Sequence, residues 1–84
     1  MQPVRIYTTQ ICSYCIAAKR FMQQRGIDFE EIDVSEDDDA RRWLVERTGQ
    51  RTVPQIFVGE KSIGGYTDMR ALDTKGELMP LLGT

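Results

Sequence analysis

The chain reads as an α/β domain, a four-stranded mixed sheet flanked by helices in the order βαβαββαα. Three observations predict it. A β-branched and aromatic run, Val4-Arg5-Ile6-Tyr7-Thr8, is soon followed by an apolar stripe at helical spacing, Ile16, Ala17, Phe21 and Met22. The hydrophobic pattern then changes period at Gly26 and again after Val34, which makes a strand, a helix and a strand whose right-handed crossover sets the two strands parallel. Further on, Gln55-Ile56-Phe57-Val58 and Ser62-Ile63 flank the tight turn Gly59-Glu60-Lys61, a hairpin signature.

Each element has its own warrant. Val4–Thr8 is apolar or β-branched at nearly every position, as a strand covered on both faces requires. The first helix is expected over Tyr14–Arg25, with Lys19, Arg20, Gln23 and Gln24 facing out and Gly26 as its stop. Ile27–Val34 is expected as the second strand. Ser35 and Asp38 form a capping-box-like pair at the start of the second helix. The acidic run Glu36-Asp37-Asp38-Asp39, followed by Arg41, Arg42 and Arg47, suits the macrodipole of that helix. Ala40, Trp43 or Leu44, and Thr48 track its buried side, and Gly49 ends it. After the hairpin, Gly64-Gly65 breaks the chain. Thr67 and Asp68 are expected to cap a third helix carrying Met69, Ala71 and Leu72, and Glu77–Leu82 makes a final amphipathic turn or two. That order, with Cys12-Ser13-Tyr14-Cys15 at the first strand-to-helix turn, marks a thioredoxin-like fold.

Composition bounds the function. Eighty-four residues are expected to make one domain, residues 1–84, with no second domain to hold a large cofactor. A hydrophobic content of 40%, a charged content of 29% and a net charge of -2 are ordinary for a globular chain and give no basic footprint for nucleic acid. Met1-Gln2-Pro3 runs into the first strand with no signal-peptide pattern, and no apolar run is long enough to span a bilayer. The expectation is a cytoplasmic protein, in a compartment that keeps thiols reduced and favours transient, catalytic disulfides over structural ones.

The tetrad holds the only two cysteines of the chain. A bridge closing so short a loop stabilises by roughly 2 kcal/mol, against about 4.5 kcal/mol for one closing most of a chain this long. Its value is therefore chemical. A cysteine at a helix N-terminus faces unpaired N–H groups and the positive dipole end, which lower thiol pKa values to roughly 3.5 to 7.5. Cys12 occupies that end, and Cys15 lies one turn along on the same face within disulfide reach. Cys12 is thus the candidate nucleophile and Cys15 the resolver. Zinc would need four ligands, and the chain has no histidine and no second cysteine pair. Two chains pooling thiolates around an iron–sulfur cluster remain open.

Two further stretches carry information. Pro54, just before a buried strand, donates no ladder bond, can take a cis peptide and leaves the Val53 backbone free for an extended partner. Gly64-Gly65-Tyr66-Thr67-Asp68 permits close backbone approach beside a helix N-terminus, and Asp68 suits an amine.

The ordered set of Cys12-Ser13-Tyr14-Cys15, Thr52-Val53-Pro54-Gln55-Ile56-Phe57-Val58, Ile63-Gly64-Gly65, Thr67-Asp68 and the Ala71-Leu72-Asp73 to Leu81-Leu82 tail resembles the glutaredoxin family, dithiol class, along essentially the whole chain. The resemblance implies glutathione-dependent reduction of protein disulfides and of protein–glutathione mixed disulfides. It implies that Cys12 attacks the glutathione sulfur and that Cys15 or a second glutathione resolves the product. It implies a glutathione site of Tyr14, Arg51, Thr52, Val53, Pro54, Gly65, Thr67 and Asp68, with Thr9, Ser13 and Arg41 at its margin. In it, Val53 pairs with the cysteinyl unit beside a cis Pro54, Thr67 and Asp68 hold the γ-glutamyl end, and Arg51 with Arg41 meets the glycine carboxylate. Three positions depart from the family's usual residues. Ser13 replaces a proline, Thr9 a lysine, and Tyr66 a cysteine. Loss of the lysine implies a less depressed thiolate pKa, partly offset by Arg51. Ser13 also keeps open a second implication, a monomer without metal that becomes a dimer when Cys12 and glutathione ligate a shared [2Fe-2S] cluster.

Overall fold

The structure is a computed structural model that describes residues 1–83. Its elements are β1 (Val4–Thr8), α1 (Ser13–Gln24), β2 (Glu30–Asp33), α2 (Asp38–Thr48), β3 (Gln55–Val58), β4 (Lys61–Gly64), α3 (Tyr66–Thr74) and α4 (Leu78–Leu82). The sheet order is β2-β1-β3-β4. β2 runs parallel to β1 with Tyr7 opposite Ile32, β3 antiparallel to β1 with Ile6 opposite Ile56, and β4 antiparallel to β3 across a register shift at Ile56/Phe57. This is the thioredoxin-like arrangement.

Strand alternation sorts the core into two layers. Val4 and Ile6 of β1 and Ile56 and Val58 of β3 face one side, where Ala18, Phe21 and Met22 of α1, Met69 of α3, and Leu78 and Leu82 of α4 cover them. Tyr7 and Phe57 point to the other side, under Leu44 of α2 and Val34. Of the two candidates on α2, Leu44 enters the core, while Trp43, 40% exposed, lies along the Tyr7 and Phe57 rings at 5.7 Å from each.

β1 and β3 keep their expected bounds, β4 extends from Ser62-Ile63 to Lys61–Gly64, and the element ends that depend on capping move. α1 opens at Ser13, one residue earlier than expected, because Cys12 is its N-cap. It closes in a Schellman turn in which Gly26 N–H donates to Gln23 O and Ile27 N–H to Met22 O at 2.9 Å, with Gly26 at φ 68. Committing Ile27 to that turn shortens β2 to Glu30–Asp33, against the expected Ile27–Val34. The cap of α2 is Asp37, whose side chain accepts from Ala40 N–H, rather than Ser35. Asp38 and Asp39 do fill the first turn of α2 and Arg47 the last. The cap of α3 is Gly65, with Thr67 and Asp68 inside the first turn. The hairpin turn is Gly59-Glu60, and Lys61 already belongs to β4.

Candidate active site

Four separate pieces of chain converge at the end of the sheet where β1 delivers the cysteine pair. β1 ends at Thr8, and the loop after it is pinned by Gln10 N–H donating to Ser35 Oγ at 2.8 Å. Ser35 is held in turn by its own N–H on Asp33 Oδ1, also 2.8 Å. The residue expected as a helix cap is thus a tether for the segment before Cys12.

Cys12 is half-buried and Cys15 is 1% exposed. The two are joined in a disulfide with their Cα atoms 5.2 Å apart. Cys12 adopts the extended conformation of an N-cap, and its sulfur accepts a hydrogen bond from Cys15 N–H at 3.1 Å. Here the sulfur takes the place of the usual Ser or Asp oxygen. The N-terminal end of α1, with its positive dipole end, thus meets this sulfur. The donor to this sulfur is Cys15 N–H and the cap is Cys12 itself, while Ser13 is the exposed first residue of α1.

Opposite the pair stands the loop ahead of β3. Cys12 Sγ lies 3.7 Å from Val53 O, and the Val53–Pro54 peptide is cis. Buried Gln55 buttresses this loop from beneath: its Nε2 donates to Thr52 O at 2.8 Å and to Gln50 Oε1 at 3.1 Å. Gly65 is where this loop and α3 meet, since a Cβ there would sit 3.3 Å from Pro54 O. Asp68 Oδ2 accepts from Gly65 N–H at 2.9 Å; glycine has no side chain to return the bond, so only half of a capping box forms.

These pieces enclose a groove of about 330 Å³ lined by Tyr14, Gln50, Thr52, Val53, Pro54, Gly65, Tyr66, Thr67 and Asp68. Seven of the residues named from the sequence therefore stand together in it. Arg51 and Arg41 line a neighbouring cleft of about 340 Å³ over Val34, Leu44 and Val45, which joins the groove through Gln50, Thr52 and Val53. Thr9 and Ser13 line neither cleft. Sequence reasoning missed Gln50 and Gln55, whose part comes from folding the loop back on itself. It named Tyr66 only as a departure, although its place after the double glycine puts it on the groove wall.

Behind the site, Lys19 of α1 donates to both oxygens of Glu31 on β2, and Thr8 Oγ1 donates to Glu31 Oε2 at 2.8 Å. The Lys19 hydrogen bond holds the Glu31 carboxyl below its ordinary value, burial opposes it, and Thr8 adds to the lowering. Hydrogen bonds from Ser35, side chain and backbone, lower Asp33 in the same sense.

The two cysteine sulfurs are bonded to each other, and among the described residues no three or more His, Cys, Asp and Glu side chains stand together. Nor, among them, is any helix long and apolar enough to cross a membrane.

Comparison with known proteins matches this geometry to one family. The glutaredoxin family model matches residues 4–63. The chain is 46% identical over 82 residues to a glutaredoxin of Pseudomonas aeruginosa, covering 98% of each, and 42% identical to glutaredoxin 3 of Escherichia coli K12, covering 98% of this chain and 99% of that one. Among solved structures, a buckwheat glutaredoxin–glutathione complex superposes with a TM-score of 0.91 at 32% identity, covering 98% of this chain and 77% of that one. The glutaredoxin of Brucella melitensis gives 0.87 at 43% identity, covering 98% and 89%. The chain therefore belongs to the glutaredoxin family and is a thiol–disulfide oxidoreductase.

Proposed function

We propose that the protein uses glutathione to reduce protein disulfides and protein–glutathione mixed disulfides, with Cys12 as nucleophile and Cys15 as resolver. One relationship carries the reading: the half-buried Cys12 sulfur faces Val53 O at the lip of the groove that holds Thr67 and Asp68. A tripeptide lying along the Val53 backbone, with its γ-glutamyl end at Thr67 and Asp68, would bring its own sulfur to Cys12. The Cys12 thiolate attacks that sulfur, the protein thiolate leaves and takes a proton, and a Cys12–glutathione disulfide forms. A second glutathione thiolate then attacks the glutathione sulfur, giving glutathione disulfide and free Cys12. Alternatively the Cys15 thiolate attacks Cys12, releases glutathione and leaves the Cys12–Cys15 bond. Tyr14 walls the groove, and Arg51 and Arg41 offer charge to the glycine carboxylate from the adjoining cleft.

A protein that draws reducing power from glutathione works where thiols are kept reduced, which places it in the cytoplasm, acting as a monomer on glutathionylated or disulfide-bonded proteins. The test is turnover of a glutathionylated substrate with glutathione present: wild type should be active and Cys12→Ser inactive, and equal rates would overturn the assignment. A second reading rests on Ser13, the exposed first residue of α1. In it, Cys12 is the one protein ligand from each of two chains to a shared [2Fe-2S] cluster, with glutathione sulfur as the other. Anaerobic reconstitution with iron, sulfide and glutathione that gives a colourless monomer removes it.

A further inference from the structure

Tyr66 stands where the family resemblance leads one to expect cysteine, and its ring is part of the groove wall. Two residues hold that ring, Tyr14 and Arg70. It lies 6.1 Å from the Tyr14 ring, centroid to centroid, so that one aromatic group from α1 and one from α3 bound the groove together. Its hydroxyl oxygen accepts from Arg70 Nη1 at 2.8 Å, and the Arg70 guanidinium sits 5.8 Å from the ring centroid. The same guanidinium lies 5.0 Å from the ring of Phe21, which is buried on α1. Arg25, at the end of α1, is also 5.0 Å from Phe21, and it is clipped to Asp73 of α3 by two parallel hydrogen bonds of 2.9 and 2.7 Å.

Two guanidinium groups sharing one aromatic ring would repel each other, but the bidentate Asp73 carboxylate neutralises Arg25. Arg70 is left as the cation that bridges the Phe21 ring of α1 and the Tyr66 ring of α3. We propose that Arg70 is a positioning residue: it latches the Tyr66 ring against Tyr14 and, with the Arg25–Asp73 pair, fixes the spacing of α1 and α3 and so the width of the glutathione groove. This rests on the glutathione reading above. Arg70 touches no reacting atom, and its effect falls on binding of the tripeptide rather than on sulfur transfer.

The test measures kcat and KM for the mixed disulfide of glutathione with a small thiol, using wild type, Arg70→Leu, Tyr66→Phe and the double variant. Each single variant should raise KM about three- to tenfold, the scale of one ordinary hydrogen bond, since this one is exposed to solvent, with kcat within about twofold of wild type. The double should raise KM no more than the worse single, because both remove the same bond. Unchanged KM in the singles, or fully additive effects in the double, overturns the latch. Tyr66→Phe keeps the ring and loses only the hydroxyl, so it reports even where Arg70→Leu folds poorly. Wild type inactive on this substrate would overturn the glutathione reading, an outcome distinct from an active wild type whose variants do not shift KM.

Discussion

Cys12 Sγ and the carbonyl oxygen of Val53 face each other at 3.7 Å across the gap between the start of α1 and the loop before β3. The sulfur takes its hydrogen bond from the helix side, through Cys15 N–H, and meets only an acceptor on the loop side. A substrate whose amide N–H occupies that carbonyl would therefore be docked alongside the nucleophile. In the proposed function the loop backbone would then position the substrate beside the sulfur that the helix end holds.

Cys15 is 1% exposed and bonded to Cys12, so an incoming protein can reach only Cys12. Cys15→Ser should keep most activity on glutathionylated substrates, which a second glutathione can resolve, and lose most reduction of protein disulfides, which needs an internal resolver. The N–H that supports Cys12 is backbone and survives the change. Parallel assays on the two substrate types check this, and equal losses on both would contradict the division of roles.

Asp68 has two separable jobs. Its Oδ2 accepts from Gly65 N–H, and its charge faces the groove's γ-glutamyl end in the proposed pose. Asp68→Ala should cost about 1 kcal/mol of stability and raise KM for glutathionylated substrate more than it lowers kcat. Asp68→Asn keeps an acceptor for Gly65 and removes the charge. It should recover the melting temperature and leave KM high; a KM restored by asparagine would show that the carboxylate charge does not meet the substrate amine.

Gly64 has φ +95, and a Cβ added there would collide with the Asp68 carboxylate, approaching its Cγ to 2.7 Å. Gly26 has φ +68 with nothing within 4 Å of such a Cβ. Gly26→Ala should therefore cost about 1 kcal/mol, for backbone conformation alone. Gly64→Ala should cost more, by roughly 1–3 kcal/mol for overpacking, and should also raise KM by displacing Asp68. Thermal melts of the two variants measure the difference, and equal losses would mean that Asp68 moves aside freely.

How far the fold could be read in advance follows from what each feature depends on. β1 and β3 were legible to the residue because a run such as Gln55-Ile56-Phe57-Val58, buried throughout, is a local pattern. Helix starts were not. Ser35 and Thr67 are good capping types, yet the caps are Asp37 and Gly65, because the fold has other partners for both regions. Ser35 is needed by Gln10 N–H, and Asp68 is needed by Gly65 N–H. The same holds in the site. Cys12, Val53 and Thr67 stand out by motif, while Gln50 and the Tyr66–Arg70 bond arise from tertiary proximity that no short pattern encodes.

The strand that delivers Cys12 is tied to its neighbours by Glu31, and that tie depends on pH. Lys19 Nζ donates to both Glu31 oxygens, at 3.1 and 2.9 Å, and Thr8 at the end of β1 donates a third bond. The Lys19 bond is the main reason that the Glu31 carboxyl is lowered from 4.5 in the folded protein. A depressed folded value means that the unfolded chain binds the proton first as pH falls. The contribution is therefore fully present above 4.5 and is lost as pH falls through the lower folded value. Asp33 acts in the same direction through Ser35, so removing Glu31 alone should flatten the acid limb and not abolish it. The Glu31 side chain is 38% exposed, and solvent screening keeps the effect small. Glu31→Gln should lose less melting temperature than wild type between about pH 5 and about pH 3, while Lys19→Met, which strips the main cause of the shift, should behave like Glu31→Gln. Identical acid limbs in all three proteins would show that this carboxylate does not couple protonation to folding.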